Sequence, residues 1–369
     1  MLNRCPGKNW PNISAIGIGA MSFSDFYGPT DTKQAFEILK TSMDYGINHI
    51  DTANMYGMGV SESRIGEFLS SLGNKDRNFF HIATKGGIKT KPGGPPVFDN
   101  TESYLTNELN QSLKRLGRDS IDLYYIHRRD GITPIEEVVE TLLKFKKEGK
   151  ITQFGFSEIS PVSLEKANKI HHVGAIQSEY SLSTRFPERG LLQKTKQLET
   201  AFVAFSPVGR GLLTDKPPSP ERVKESPFLS INPRFQEPNL SENIKAVKGF
   251  QKLARDYQLS TAGLAIAWLL AKDEHIVPIP GTRSTTHLKE IISGVAVDYF
   301  GGFKVLLVGS SLQCLALFLY LPFDALTSLY IVSLIFGLAQ GGIVPSYAVI
   351  LREFLPTKNI ASKIGLVLM

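Results

Sequence analysis

The chain has 369 residues, of which 42% are hydrophobic and 21% charged, and this composition is typical of a folded protein. Its net charge of +6 comes without a basic tract, so we expect no nucleic-acid partner. The N-terminal segment does not combine basic residues with an apolar run, so we expect no secretory signal and expect translation to begin in the cytosol. The two cysteines, Cys5 and Cys314, are far apart and lack metal-ligand spacing, so neither a disulfide framework nor a metal site is predicted.

Short β-rich runs alternate with longer segments of helical spacing from about residue 15 to residue 292. The eight runs are AIGIGAM, NHIDTA, FFHIATK, IDLYYIH, ITQFGFS, AIQSEYS, AFVAFSP and HIVPIPG. The intervening segments carry acidic or capping residues early and a glycine at or near the end, as in DTKQAFEILKTSMDYG and ESYLTNELNQSLKRLG. Eight strand-then-helix units with apolar strands predict an α/β protein with a closed (β/α)8 TIM barrel, rather than an open doubly wound sheet.

Gly17 and Gly19 in the first run could begin a dinucleotide-binding GxGxxG motif. The third glycine position is Ser22, however, and no helix follows directly. Close packing between barrel strands is therefore the preferred interpretation of these glycines.

Four polar residues lie at or just beyond the carboxyl ends of predicted strands. Asp51 closes the second strand, Tyr56 follows it, Lys85 closes the third and His127 the fourth. Each residue alone could instead have a purely structural role, as a capping, packing or solvated residue. In a (β/α)8 barrel, however, catalytic groups gather at these strand ends. We therefore expect a carboxylate, a phenol, an ammonium and an imidazole at one mouth.

These four groups suit the reduction of a carbonyl, which must receive a proton as well as a hydride. A free tyrosine has a pKa of about 10, and an adjacent ammonium favours the phenolate, so we expect Lys85 to lower the pKa of Tyr56. We assign Tyr56 as general acid and Asp51 as the anchor of Lys85. His127 is assigned as the donor that orients the substrate oxygen.

The order of the motifs resembles that of the aldo-keto reductase superfamily over roughly residues 10–290. The motifs that carry the resemblance are GINHIDTANMYG, IATKGG, DLYYIH, GFSEIS, AIQSEYSL, FSPVGRGLLT and IVPIPGTRS. The resemblance implies NADPH-dependent reduction of a small-molecule aldehyde or ketone without a metal. It also implies that the cofactor lies extended across the barrel mouth.

The same resemblance implies a set of cofactor-binding residues. Those expected near the nicotinamide carboxamide are Ser157, Glu158 and Gln177. Phe205 stands where the family usually has a tyrosine that stacks on the nicotinamide, and a phenyl ring retains that face. Those expected to wrap the pyrophosphate are Ser206, Val208, Gly209, Arg210, Gly211 and Leu212. Those expected around the adenosine ribose and its phosphate are Gly281, Thr282, Arg283 and Ser284.

Arg283 is the preferred candidate for the 2′-phosphate. The loops after the last two strands are the usual phosphate site of this fold, and a helix is predicted just after Ser284. A planar guanidinium also matches a phosphate better than an ammonium does. The alternative is a solvated loop arginine.

The composition changes abruptly around Gly294. No charged residue occurs from Val305 to Phe323, or between Asp324 and Arg352. A bilayer core needs about 20 apolar residues, so we expect a C-terminal all-α transmembrane-like helical hairpin with membrane association through residues 303–351. Basic residues on its outer flanks place the barrel in the cytosol by the positive-inside tendency. The alternative is a buried helical pair in a soluble protein.

This segment resembles part of a major facilitator superfamily transporter. The motifs that carry the resemblance are GVAVDYFGGFK, LQCLALFLYL, FGLAQGGIVPSYAVILREFLP and ASKIGLVLM. Two spans and a stub cannot supply alternating access, so a fusion or a membrane anchor is preferred to a transporter. We predict two domains, a barrel over residues 1–293 and a truncated transporter-like segment over residues 294–369.

The leading hypothesis is therefore an NADP-dependent carbonyl reductase that faces the cytosol. A cofactor-sensing regulatory subunit of a membrane protein is an alternative, because such a subunit can retain the same four residues. A transporter fragment is the weakest alternative. Multiple turnover on small aldehydes separates an enzyme from a sensor.

Overall fold

The structure is a computed structural model that describes residues 1–90, 94–257 and 259–295. Residues 1–252 and 259–295 belong to one compact unit. The predicted membrane hairpin and the transporter-like motifs lie outside the described residues, apart from Gly294 and Val295. In the described part of the chain, no helix has the length and apolarity needed to cross a membrane.

Eight parallel strands form the central sheet, and each pairs with its neighbours in chain order. Strands β1 to β8 are Ile18–Gly19, His49–Asp51, His81–Gly86, Ile121–Ile126, Ile151–Ser157, Ala175–Glu179, Ala201–Phe205 and Ile276–Pro278. The backbone N–H groups of Gly17 and Gly19 donate to the carbonyls of Pro278 and Pro280, at 2.9 and 3.0 Å. These bonds join the first strand to the last, so the sheet closes. The predicted barrel is confirmed, and each of the eight predicted runs supplies a strand.

Strand β1 is shorter than the predicted run over residues 15–21, because Ala20–Phe23 forms a 3₁₀ helix. A Cβ atom on Gly19 would lie 2.7 Å from the carbonyl oxygen of Ile279, and one on Gly17 would lie 2.6 Å from His49 Cδ2. Such distances are too short for a real side chain. The two glycines therefore serve close packing at the barrel seam, as the sequence favoured.

Helices cover the outside of the barrel, and their ends follow the sequence signals. Helices α1 to α10 are Thr32–Asp44, Val60–Ser71, Glu102–Leu116, Ile135–Lys147, Pro161–Ile170, Leu191–Gln197, Pro220–Glu225, Pro227–Ser230, Asn239–Asp256 and Thr261–Leu270. Residues 285–295 are also helical. Helix α1 begins with a capping box between Asp31 and Gln34, and α3 ends at Gly117 in the left-handed conformation.

Two apolar layers hold the barrel together. One fills its interior, where Leu123, Tyr125 and Val203 are fully buried, and the other lies between the strands and the helices. An antiparallel pair of short strands, Asn3–Arg4 and Ile13–Ser14, precedes the barrel. The Trp10 side chain in its loop packs into the interior layer.

Candidate active site

Lys85 is fully buried near the end of β3, and its ammonium is saturated by three acceptors. It donates to the Asp51 carboxylate in a short contact, to the carbonyl oxygen of Thr52 at 2.8 Å, and to the Tyr56 hydroxyl oxygen at 3.4 Å. An ammonium has three donors and no acceptor. All three donors are used, and the phenol oxygen acts as an acceptor towards Lys85.

Asp51 closes β2 and is only 2% exposed. Its second carboxylate oxygen accepts a hydrogen bond from Gln177 Nε2 at 2.6 Å. Burial raises the pKa of Asp51, while the Lys85 ammonium and the Gln177 amide oppose that rise. Burial acts to lower the pKa of Lys85, but Asp51 and Tyr56 outweigh it, so that pKa is raised and the ammonium persists.

The pKa of Tyr56 is raised, so the expectation of a lowered value was wrong for this structure. Burial is the largest cause, and the opposing Lys85 ammonium does not cancel it. Tyr56 is 9% exposed and lies in the turn beyond β2. The sequence shows the ammonium but gives no measure of the desolvation. The phenol therefore stays protonated at neutral pH, as a proton donor must be.

His127 follows β4 and lies edge-on to Tyr56, with ring centroids 5.8 Å apart. Burial, Lys85 and Arg128 lower the pKa of His127 well below its ordinary value. Its Nδ1 is buried and has no hydrogen-bond partner among the residues described. In the neutral imidazole, Nε2 is therefore the nitrogen available for a hydrogen bond to a ligand in the cavity. The structure thus brings all four predicted catalytic residues together.

A cavity of about 840 Å³ opens above these residues. Tyr56, His127 and Asp51 line it, while Lys85 lies behind them. Eleven of the predicted cofactor residues also line it: Ser157, Gln177, Phe205, Ser206, Val208, Arg210, Gly211, Gly281, Thr282, Arg283 and Ser284.

Three predicted cofactor residues do not line this cavity. The Glu158 carboxylate instead accepts the backbone N–H of Glu179 at 2.8 Å. The Leu212 side chain is 2% exposed and packs in an apolar cluster with Leu213 and Val223. Gly209 is buried in the turn before it. The sequence motif spans these positions, but the Leu212 side chain packs into the protein and the exposed Glu158 carboxylate is bonded to the backbone outside the cavity lining.

Two cations converge at the end of the cavity formed after β8. Arg283 and Arg222 both line it, and the pKa of Arg283 is lowered by burial and by the charge of Arg222. Arg283 Nη1 donates to the carbonyl oxygen of Pro29 at 3.1 Å. The helix over residues 285–295 begins just beyond Ser284, as predicted. Two guanidinium groups beside a helix N-terminus form a suitable environment for an anionic group.

The comparisons with known proteins agree with this geometry. The aldo/keto reductase family model matches residues 15–299. This chain belongs to the aldo/keto reductase family. It is 36% identical to the aldo-keto reductase yakc [NADP(+)] of Schizosaccharomyces pombe, over 77% of this chain and 84% of that protein. It is also 36% identical to a probable aldo-keto reductase 1 of Glycine max, over 77% of this chain and 82% of the relative.

The structure of this aldo/keto reductase is also similar to solved ones. The glycerol dehydrogenase AKR11B4 from Gluconobacter oxydans matches with a TM-score of 0.68 and 28% sequence identity. The match covers 80% of this chain and 89% of that one. The family and the barrel are thus supported by sequence and by structure.

Several cavity residues of this aldo/keto reductase were missed by sequence reasoning. Phe228 packs edge-on against Phe26 and Tyr27, at centroid distances of 5.9 and 5.3 Å, and the Arg210 guanidinium lies 4.8 Å from its ring. Burial raises the pKa of Tyr27 to about 12, so this phenol is neutral. Together these rings form an aromatic wall. Its members come from distant parts of the chain, and no local pattern joins them.

Arg128 was missed as well, although it directly follows His127. It lines the cavity and donates from Nη1 to the His127 carbonyl oxygen at 2.7 Å and to Ser157 Oγ at 2.8 Å. A basic residue after a predicted catalytic histidine was the available signal.

Three of the six non-glycine residues with a positive φ in the described chain belong to the predicted cofactor set. Glu158, Ser206 and Arg210 have φ values of +57°, +50° and +59°, which residues with a side chain rarely adopt. Such strain costs about 1–3 kcal/mol per residue and is common at ligand-binding sites. All three belong to the predicted cofactor set, which is consistent with a ligand-binding role for these turns.

Proposed function

We propose that this chain reduces an aldehyde or ketone to an alcohol, with NADPH as hydride donor and Tyr56 as proton donor. The observation that carries the proposal is the hydrogen bonding of Lys85. Because the Tyr56 oxygen accepts a hydrogen bond from the ammonium, its own O–H is left to donate into the cavity.

Each of the four central residues has its own role in proton transfer. Tyr56 holds the proton at neutral pH and gives it to the carbonyl oxygen. Lys85 then stabilises the phenolate that remains, and Asp51 keeps Lys85 charged and in place. His127 donates from Nε2 to the same oxygen and orients it. Because these side chains are largely buried, each of these interactions is stronger than it would be in water.

The residues present fit a phosphorylated nicotinamide cofactor. NADPH supplies the hydride when it is bound, and the relative from Schizosaccharomyces pombe carries NADP(+) in its name. Ser157 and Gln177 would hold the nicotinamide amide beside the ring of Phe205. The turn around Arg210 would hold the pyrophosphate. Arg283, with Arg222 beside it, would hold the 2′-phosphate, because these two cations lie together at the cavity wall.

Oxidation of NADPH by the full chain, measured against a panel of aliphatic and aromatic aldehydes and ketones, tests the proposal. We expect many turnovers per protein molecule, with one alcohol formed for each NADPH consumed. A protein that only senses the cofactor would bind NADPH and stop after at most one turnover. Absence of multiple turnover on every carbonyl compound would contradict the proposal.

We also propose, from the sequence pattern alone, that the reductase domain ends near residue 293. The transporter-like residues 294–369 would then anchor it to a membrane through residues 303–351, with the barrel on the cytosolic side. Fractionation of cells that express the full chain tests this. Recovery of monodisperse protein without detergent would contradict the anchor and leave the reductase proposal unaffected.

A further inference from the structure

We propose that Arg128 makes this site selective for carbonyl compounds that carry a carboxylate next to the carbonyl and an apolar tail, namely 2-oxo acids. The inference rests on the proposed reductase function and names a substrate class for it.

The guanidinium of Arg128 is fixed beside the two proposed donors. Arg128 follows His127 at the end of β4 and lines the same cavity as Tyr56. Its Nη1 spans the His127 carbonyl oxygen and Ser157 Oγ, at 2.7 and 2.8 Å. Both acceptors lie at ends of neighbouring barrel strands, which are rigid elements. One edge of the guanidinium is therefore anchored, and Nη2 and Nε form no hydrogen bond to the described residues.

The charge of Arg128 is not neutralised by contact. Both of its hydrogen-bond acceptors are uncharged oxygens, and no carboxylate of the described chain lies within 4.0 Å of it. The other cations nearby do have such partners: Lys85 contacts Asp51, and Arg210 lies 3.4 Å from Glu179.

Glu158 is the acidic group that acts most strongly on Arg128, but its carboxylate already accepts the backbone N–H of Glu179. Arg128 remains protonated because a guanidinium does not lose its proton in proteins. A half-buried cation with unused donors at a cavity wall favours an anionic group on the ligand.

The geometry suits a carboxylate close to the reacting carbonyl. Because Tyr56, His127 and Arg128 line the same cavity, a substrate whose carbonyl oxygen accepts from His127 and Tyr56 would bring its neighbouring group towards the guanidinium. The planar fork of arginine matches the two oxygens of a carboxylate. The rest of the substrate then meets apolar side chains, since Phe26, Met55, Ile88 and Phe228 line the same cavity. A 2-oxo acid with an aromatic or aliphatic tail offers a carbonyl to the two proton donors, a carboxylate to the guanidinium and an apolar tail to these walls.

The reaction balances with groups already named. A hydride from NADPH forms the new C–H bond at the carbonyl carbon, and the C=O π electrons move to oxygen. That oxygen takes the proton of Tyr56, which later regains one from solvent. The 2-oxo acid is reduced to a 2-hydroxy acid and NADPH is oxidised to NADP⁺. The carboxylate stays paired with Arg128 throughout.

A matched pair of substrates tests the inference. Phenylglyoxylate and its methyl ester share the aryl ketone and differ in the negative charge. We compare kcat/KM for both in the full-length wild type, Arg128→Gln and Arg128→Lys. Arg128→Gln removes the charge, and Arg128→Lys keeps the charge but loses the fork. Because each variant is compared with the wild type on each substrate, the different intrinsic reactivity of acid and ester cancels.

We expect Arg128→Gln to lower kcat/KM for phenylglyoxylate by about 10- to 100-fold, the loss expected for a charged hydrogen bond. The value for the ester should change by less than about 3-fold, and Arg128→Lys should lie between wild type and Arg128→Gln on the acid. The dissociation constant of NADPH should change by less than about 3-fold in both variants, because Ser157, the partner of Arg128, is only one of several proposed cofactor contacts. If Arg128→Gln does not fold, the ratio of acid to ester for Arg128→Lys decides, with a fall of about 3-fold or more in support.

Equal losses on acid and ester would overturn the inference, because Arg128 would then act only by positioning His127 and Ser157. So would a wild type that reduces other aldehydes but neither member of the pair. Failure of the wild type to turn over any carbonyl compound would instead overturn the proposed function, and the inference with it.

Discussion

Replacing Lys85 by methionine should destabilise the barrel, because it leaves the buried Asp51 carboxylate without a cationic partner. Asp51 is 2% exposed and Lys85 is fully buried, so little of the pair is accessible to water. In the variant, the Gln177 amide remains as a partner of Asp51. Breaking one partner of a buried ion pair costs about 3–5 kcal/mol. For a domain of this size that corresponds to a fall in Tm on the order of 10 °C.

The assay is chemical denaturation of wild type, Lys85→Met, Asp51→Asn and the double variant. Removing both charges relieves the unpaired carboxylate, so the double variant should be more stable than the sum of the two single losses predicts, by about 2 kcal/mol or more. Lys89→Met is the matched control. Lys89 lies 3.9 Å from Asp99, but its side chain is 49% exposed, so its loss should cost less than about 1 kcal/mol. Additive losses within about 0.5 kcal/mol, or a loss at Lys85 no larger than at Lys89, would refute the reasoning.

Three further predictions follow from the same structure. Burial lowers the pKa of His49 and His127 well below 6.5. At a pH just below 6.5, these imidazoles therefore bind protons in the unfolded chain and stay neutral in the folded chain. The free energy of unfolding should therefore fall as pH drops below about 6.5, by up to about 1.4 kcal/mol per pH unit for each histidine. A free energy of unfolding that stays constant between about pH 7 and pH 5 would contradict this prediction. Gly66→Ala should cost about 1–3 kcal/mol, because its Cβ would lie 2.1 Å from a backbone oxygen, whereas Gly73→Ala has open space and should be neutral; thermal melting of the two variants decides. Arg283→Leu should raise KM for NADPH about tenfold and leave KM for NADH nearly unchanged, and equal effects on both would exclude a contact with the 2′-phosphate.

The barrel and the four central residues could be predicted because each leaves a local signal. Strand β3 shows this best: all six of its residues, His81–Gly86, are buried, yet one of them is a lysine. A lysine in a buried strand needs a partner. The end of an adjacent strand can offer one, and Asp51 closes the neighbouring strand. Periodicity and charge together were sufficient here.

The aromatic wall could not be predicted in the same way. Phe228 contacts Phe26 only because the segment after β7 returns to the loop after β1, and no periodicity records that return. The direction of the pKa shift at Tyr56 depends on a balance between burial and the Lys85 ammonium. The sequence shows the ammonium but not the depth of burial. The motif also carried Leu212 into the cofactor set, although its side chain packs into an apolar cluster.

The central claim is that the hydroxyl of Tyr56 delivers the proton, and kcat of Tyr56→Phe tests it most directly. Phenylalanine keeps the ring that packs beside His127 and Phe26, so only the O–H is lost. We predict that kcat for an aldehyde falls by about 100- to 10,000-fold, as is typical for loss of a general acid, while the dissociation constant of NADPH changes less than about 3-fold. A variant that retains more than about a tenth of the wild-type kcat would contradict the assignment.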